Sequence, residues 1–171
     1  GAELLIVPNG SPYWMDKQEV RYGVAETRVA ETRLPLAYIN QVGGQDELVF
    51  DGASFVVNAD GSVAVQMPVW EEAVAITEWR RDGNRWVCEP QPLAEIEQGD
   101  AASYLACVTG LRDYVEKNGF PGVVLGLSGG IDSALCVAMA VDALGAKRVH
   151  GVMLPYTFTS NESLSDAAET A

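Results

Sequence analysis

One stretch of the sequence constrains the fold more than any other, an apolar run that breaks at two glycines and resumes as a helix. Residues 122–128, GVVLGLS, predict a buried strand, and residues 132–145 predict a helix ending at Gly145. A second apolar strand follows within residues 148–155, RVHGVMLP. Strand, helix and strand in this order form a βαβ unit, so this half of the chain predicts parallel α/β structure.

The loop between that strand and that helix has the features of an anion site. It reads SGGIDS over residues 128–133, and it puts backbone N–H groups at a helix N-terminus, where phosphate binds well. Its glycines permit positive φ and a close approach of the backbone to a ligand. Ser128 and Ser133 add hydroxyl donors, whereas Asp132 is predicted to cap the helix or to hold Mg²⁺ against phosphates.

The commoner phosphate motifs do not fit this loop. The Walker A motif needs a lysine, and none lies between Gly126 and Lys147. The glycine spacing also differs from the G-x-G-x-x-G fingerprint of dinucleotide-binding folds. A plain strand-to-helix turn with no ligand stays open as the alternative, because Gly-Gly is a common turn signal.

The first half of the chain is predicted to be mostly strands, which form a first domain over residues 1–88. ELLIVPN (3–9) and LPLAYINQ (34–41) predict buried strands, and residues 16–33 predict a helix on which Val20, Val24 and Val29 recur. Two hairpins are predicted, one around residues 59–61 within DGASFVVNADGSVAVQMP and one around residues 81–84 between AVAITEW and NRWVCE. A linker over 89–100 and a second domain over 101–171 complete the predicted organisation.

Composition excludes some classes of partner. The chain has 24 acidic and 11 basic residues, a net charge of −13, so the basic face of a nucleic-acid binder is not expected. It has no apolar stretch of about 18 residues, so no membrane association is predicted.

Cys88, Cys107 and Cys136 are odd in number and far apart, which indicates reduced, packed side chains in a cytoplasmic protein. The lone His150 is interpreted as structural.

Two motifs in different halves of the chain resemble known families. SGGIDS after an apolar strand resembles the pyrophosphate-binding loop of the N-type ATP pyrophosphatases. LLIVPNGSPYWMDKQEVR and YINQVGGQDELVFDGASFVVNADGSV resemble the nitrilase-type amidases. Together they resemble the arrangement of the glutamine-dependent NAD synthetase family. The implied fold class is α/β, the C-terminal part of a nitrilase-like α/β sandwich followed by the start of a Rossmann-like parallel α/β domain.

The resemblance also implies a function, in which ATP activates deamido-NAD as an adenylate and ammonia from glutamine completes the amide. Ser11 and Lys17 match the glutamine contacts in the family's S-P-Y-x-x-x-K spacing, although a turn and a solvated lysine would also explain them. Asp132 matches a Mg²⁺ ligand. The implied ATP contacts are Gly126, Leu127, Ser128, Gly129, Gly130, Ile131, Asp132 and Ser133.

The family's catalytic Cys, Glu and Lys are expected upstream of Gly1, so we expect this chain to be an internal fragment that is inactive by itself. The full-length protein is expected to be a homo-oligomer with small-molecule substrates. Another SGGxDS ligase fused to an amidase, or a non-catalytic nucleotide-binding piece, stays open as an alternative.

Two further segments have open interpretations. The loop Gly43–Glu47 is either mobile and solvated or engaged in a tunnel or domain contact. Thr159, Ser160 and Asn161 are expected to cap a helix rather than to contact a nucleotide, and Ser163 to Asp166 approximates a capping box.

Overall fold

The computed structural model describes residues 1–156 and 160–171, which form two compact units. One unit comprises Gly1–Gly43 and Glu47–Ala106, and the other comprises Gly44–Asp46 and Cys107–Ala171. The strands are β1 (Leu5–Asn9), β2 (Leu36–Asn40), β3 (Val42–Gln45), β4 (Leu48–Asp51), β5 (Phe55–Val57), β6 (Val63–Gln66), β7 (Trp79–Asp82), β8 (Arg85–Cys88), β9 (Val123–Leu127) and β10 (Val149–Met153). The helices are α1 (Lys17–Thr32), α2 (Gly99–Lys117), α3 (Ile131–Leu144) and α4 (Asn161–Thr170).

The first unit is built on a four-stranded sheet in the order β1-β2-β5-β6. β1 runs parallel to β2, and the pairs β2–β5 and β5–β6 are antiparallel. The core joins α1 to this sheet, because apolar side chains from both pack together, namely Ala25, Val29, Leu36, Tyr38, Phe55 and Val57. The C-terminal ends of the parallel strands β1 and β2 therefore lie side by side at Asn9 and Asn40.

Both predicted hairpins are confirmed, although the first strand of the second hairpin lies later in the chain than predicted. β5 and β6 flank a turn in which Gly61 has φ +88°. β7 and β8 pair from Trp79–Cys88 to Asp82–Arg85, so Gly83, with φ +59°, and Asn84 form the turn. Residues 73–78 are not a strand, which corrects the prediction for AVAITEW. Val74 and Ile76 in that segment are exposed, and apolar composition without burial does not make a strand.

The prediction of buried strands is wrong for one face of β1 and for one face of β9. Ile6 on β1 is 60% exposed, and Val124 on β9 is 71% exposed. Each of these strands has one neighbour in its sheet among the described residues, and a helix packs on one face, so side chains alternate between a covered and an open face.

The helix α1 is confirmed, but its buried stripe contains one of the three recurring valines. The buried residues are Arg21, Ala25 and Val29, whereas Val20 and Val24 are about half exposed. Val20 and Val24 lie one position before the buried stripe, so the spacing of the valines alone did not identify the buried face.

The second unit contains the predicted βαβ element, which is confirmed. β9 and β10 are parallel and in register from Val123–Val149 to Leu127–Met153. Leu127, Val137 and Ala167 from β9, α3 and α4 form its core. The loop of residues 128–130 therefore leaves the C-terminal end of β9, where ligands bind in open α/β sheets.

Residues 89–98 have no regular secondary structure, and part of this segment follows β6. The N–H groups of Gln91 and Ala94 donate to the carbonyl oxygens of Ala64 and Gln66.

Within residues 1–156 and 160–171, no helix combines the length and hydropathy needed to cross a bilayer.

The cysteines are all free, but only one of them is packed as predicted. Cys88 is fully buried, and burial together with the neighbouring charge of Glu89 raises the pKa of its thiol. Cys107 and Cys136 are exposed on α2 and α3, so the packing prediction is wrong for both. A helix surface that no element covers leaves its small apolar side chains open to solvent.

Candidate functional site

The loop between β9 and α3 brings its two serines together. The Oγ atoms of Ser128 and Ser133 are 3.1 Å apart, and the Gly130 N–H donates to Ser128 Oγ at 3.3 Å. Ser133 Oγ also donates to the Gly130 carbonyl oxygen at 2.9 Å. The hydroxyls thus fold the loop into a closed turn at the N-terminus of α3, with hydroxyl and N–H donors grouped where the helix dipole is positive.

Gly129 is the loop position at which glycine is required. Its φ of +79° is a conformation that other residues rarely adopt. A Cβ there would lie 2.8 Å from the Cα and C atoms of Ser163, and closer still to its carbonyl oxygen. Gly130, in contrast, has an extended backbone with φ −91°. The absence of space beside the first turn of α4, together with the strand-to-helix turn itself, explains why residue 129 is a glycine.

The remaining predicted nucleotide contacts have different exposures. Leu127 has its side chain in the core, so only its backbone is available to a ligand, whereas Gly126 and Ile131 are exposed. Asp132 lies exposed in the first turn of α3. The N-cap of α3 is Gly130, and no side chain caps it, so Asp132 does not act as the cap.

The chemistry of the loop fits Mg²⁺ shared with a phosphate. In the part of the chain that is described, no three His, Cys, Asp or Glu residues cluster as a metal site. Mg²⁺ is commonly held by one or two carboxylates together with substrate phosphates and water, rather than by a full protein cage. The single carboxylate of Asp132, beside a loop that gathers N–H and hydroxyl groups at a helix N-terminus, matches that donor set.

The start of α4 confirms a cap at Ser160 and corrects the capping box. Ser160 Oγ accepts a hydrogen bond from the Ser163 N–H at 3.0 Å, and the helix begins at Asn161. The box predicted over Ser163–Asp166 is therefore inside the helix, one turn too late. Thr159 lies outside the described residues.

In the first unit, Ser11 and Lys17 line one cavity of about 250 Å³ beside β1. Lys17 is half-buried, and its Nζ lies 3.1 Å from the centroid of the Trp14 ring, a cation–π contact. Asn9 and Arg21 also line this cavity, together with Val7, Val20, Val24, Ala25, Arg28, Leu36 and Tyr38. The cavity therefore has an apolar wall and a polar end that carries hydroxyl, amide and cationic groups.

The backbone of Ser11 is fixed by Asn40, which ends the neighbouring strand. The Ser11 N–H donates to Asn40 Oδ1 at 2.9 Å, and Asn40 Nδ2 donates to the Ser11 carbonyl oxygen at 3.2 Å. Asn40 is buried. Both peptide groups of Ser11 are thus held by one side chain.

Arg21 is the residue of this site that sequence reasoning missed. Its guanidinium is buried, donates to both carboxylate oxygens of Asp51 at 2.6 and 2.7 Å, and also donates to Ser11. The available signal was the spacing of Arg21 with Ala25 and Val29, which puts an arginine in the apolar stripe of α1. A buried arginine needs a carboxylate partner, and the sequence does not identify it.

The segment Gly43–Glu47 is part of a hairpin in which Gly43 and Gly44 are buried, whereas Gln45, Asp46 and Glu47 are exposed. β3 and β4 flank Asp46, which has φ +52°. The Gly44 N–H donates to Asp113 Oδ2 at 2.7 Å, and its carbonyl accepts from Lys117 Nζ.

His150 lies on β10 and is exposed.

Comparison with known proteins identifies relatives along the whole chain. Residues 1–85 match the carbon-nitrogen hydrolase family, and residues 103–171 match the NAD synthase family. The chain is 57% identical to a glutamine-dependent NAD(+) synthetase of Rhodobacter capsulatus, with 100% of this chain and 31% of that protein covered. It is 45% identical to one from Acinetobacter baylyi, with 99% of this chain and 31% of that protein covered.

Solved structures agree with these sequence matches. A glutamine-dependent NAD+ synthetase from Acinetobacter baumannii, solved in complex with adenosine diphosphate, has a TM-score of 0.90 and 47% identity over 98% of this chain and 31% of its own. One from Cytophaga hutchinsonii, at 18% identity and a TM-score of 0.76 over 98% of this chain and 34% of its own, supports the fold. The chain spans about a third of the length of the curated relatives it matches.

Proposed function

Because this chain belongs to the glutamine-dependent NAD(+) synthetase family, we propose that the protein amidates deamido-NAD⁺ to NAD⁺ with ATP and glutamine. In this reaction the nicotinate carboxylate attacks the α-phosphorus of ATP, which forms an adenylate and releases pyrophosphate. Ammonia then attacks the carbonyl carbon of the adenylate, and AMP leaves. The ammonia comes from glutamine hydrolysis. The observation that carries the proposal is the glycine loop between β9 and α3, in a chain whose whole length matches part of such a synthetase.

The nucleotide role belongs to the loop after β9. We propose that the N–H groups and the hydroxyls of Ser128 and Ser133 hold the phosphates of ATP, with Gly126–Ser133 as the contact segment. The relative solved with adenosine diphosphate supports a nucleotide ligand for this chain. Asp132 would hold Mg²⁺, which supplies charge neutralisation of the phosphates when it is bound.

The glutamine role belongs to the cavity beside β1. We propose that Lys17 attracts the α-carboxylate of glutamine, and that Ser11 donates a hydrogen bond to the same substrate. The half-buried position of Lys17 over Trp14 supports this assignment, because partial desolvation strengthens its attraction for an anion. A cytoplasmic homo-oligomer and a domain division at 1–88, 89–100 and 101–171 complete the proposal.

The test is an assay of the full-length protein with deamido-NAD⁺, ATP and Mg²⁺, supplied with either glutamine or ammonium. We expect NAD⁺ from both nitrogen donors. Asp132→Asn should abolish NAD⁺ formation with both, while glutamine hydrolysis survives. Amidation of a different acid without NAD⁺ formation would overturn the proposed substrate, and full activity of the variant would overturn the Mg²⁺ role.

A further inference from the structure

We propose that Arg21 is a positioning residue that turns the hydroxyl hydrogen of Ser11 toward the glutamine substrate. This inference rests on the proposed function, because it assumes that Ser11 contacts glutamine. Arg21 Nε donates to Ser11 Oγ at 3.2 Å, and its Nη2 donates to the Ser11 carbonyl oxygen at 2.7 Å. One guanidinium therefore holds both the side chain and the backbone of the same serine.

The direction of these hydrogen bonds decides which acceptor the hydroxyl hydrogen of Ser11 can reach. A guanidinium has donors and no acceptor, so Ser11 Oγ must accept from Arg21. A serine hydroxyl carries one hydrogen, and that hydrogen is then free to point away from the guanidinium. Since Ser11 and Arg21 line the same cavity, the hydrogen is available to an acceptor within it, such as a carboxylate or an amide oxygen.

The guanidinium itself is held firmly enough to set this direction. It forms a forked pair with Asp51, at 2.6 and 2.7 Å, and only 4% of each residue is exposed. Lysine cannot reproduce this arrangement, because its ammonium is a single point and cannot bond the Ser11 hydroxyl, the Ser11 carbonyl and both Asp51 oxygens in one plane. The Asn40 amide fixes the Ser11 backbone from the other side.

The charge balance separates the roles of Arg21 and Lys17, while Arg28, which also lines the cavity, pairs with Glu31. Asp51 neutralises Arg21 at bidentate hydrogen-bond distance, so Arg21 offers little net charge to an anion. Lys17 contacts an aromatic ring, which leaves its charge available. Arg21 therefore acts through Ser11, and Lys17 acts on the substrate directly.

The experiment measures glutamine hydrolysis by the full-length enzyme in Ser11→Ala, Arg21→Lys and the double variant. Arg80→Lys is the matched control, because Arg80 forms an exposed ion pair with Glu89. We expect Arg21→Lys to raise the KM for glutamine about tenfold, equivalent to about 1.4 kcal/mol, with kcat nearly unchanged. Ammonium-driven NAD⁺ formation should match the wild type, and the double variant should equal Ser11→Ala.

Each outcome has a distinct meaning. Additive effects of Ser11→Ala and Arg21→Lys on KM would overturn the positioning role, because independent sites add. No effect of Ser11→Ala would instead overturn the assignment of Ser11 to glutamine in the proposed function. If Arg21→Lys fails to fold, Arg21→Gln combined with Asp51→Asn removes the charges as a pair, and an unchanged KM in that variant would also overturn the inference.

Discussion

Replacement of Gly129 by alanine should weaken ATP binding, because the loop has no space for a side chain at this position. The φ of Gly129 is +79°, and an added Cβ would lie 2.8 Å from two backbone atoms of Ser163. A left-handed backbone costs an L-residue ~1–2 kcal/mol, and overpacking costs typically ~1–3 kcal/mol. The sum of ~2–5 kcal/mol favours a loop that has moved away from α4.

That free energy can be converted into an expected change in the KM for ATP. If ATP needs the observed loop shape, a penalty of about 2 kcal/mol leaves only a few per cent of molecules competent to bind. The KM for ATP then rises about 30-fold, since 1.36 kcal/mol is a factor of ten. The assay is ammonium-driven NAD⁺ formation by the full-length enzyme as a function of ATP concentration, with glutamine hydrolysis followed in parallel as a measure of the intact first site.

Gly119→Ala is the matched control, because Gly119 also has a positive φ of +68° but has open space where a Cβ would be. The Gly119→Ala variant therefore has the free-energy cost of a left-handed backbone at alanine, but its Cβ does not meet α4. We expect Gly119→Ala to leave the KM for ATP close to that of the wild type. Equal KM values for the two variants would refute the reasoning, because the contact between Gly129 and Ser163 would then have no effect.

Two further predictions concern stability and pH. Asp51→Ala should lower the free energy of unfolding by about 3–5 kcal/mol, because it leaves the buried Arg21 charge without its carboxylate partner. Glu89→Ala, which breaks an exposed ion pair, should cost below about 1 kcal/mol; similar urea unfolding curves for the two would contradict this. Hydrogen bonds from the Ser62 hydroxyl and N–H hold the pKa of Asp60 below its ordinary 3.8. This carboxylate therefore stabilises the fold above pH 3.8 and loses that contribution as the pH falls through its lower folded pKa. NMR titration should find the pKa of Asp60 nearer 3.8 in Ser62→Ala, and an unchanged pKa would reject that cause.

The parts of the fold that depend on local signals could be predicted from the sequence. A glycine pair between an apolar run and a helical pattern specified the βαβ unit, and turn residues specified both hairpins. Fold class followed from these signals together with the family resemblance. Strand and helix existence is local, because backbone conformation responds to near neighbours in the chain.

Burial was predicted less well, because it depends on what covers each face. Val20 and Val24 have the spacing of a core stripe, yet the stripe that meets the sheet contains Arg21. Arginine is buried there because Asp51, 30 residues away, supplies the paired charge. Periodicity reports the candidate faces of a helix, and tertiary contacts decide which one is covered.

The same limit applies within the candidate site. The family resemblance selected Ser11 and Lys17, and the local sequence selected the SGGIDS loop. Sequence reasoning did not find that Gly129 lies against the backbone of Ser163, since that contact joins the loop before α3 to the first turn of α4 through the packing of the unit. Nor did it find the two hydrogen bonds between Asn40 and the Ser11 backbone, which depend on the register of β1 against β2.

The measurement that tests the central claim most directly is the product balance of the full-length enzyme supplied with labelled ATP, deamido-NAD⁺ and glutamine. The loop of residues 128–133 is proposed to hold the pyrophosphate part of ATP while the α-phosphate is transferred, which predicts equal amounts of AMP, pyrophosphate and NAD⁺. ADP and orthophosphate as the products, with NAD⁺ still formed, would contradict the account.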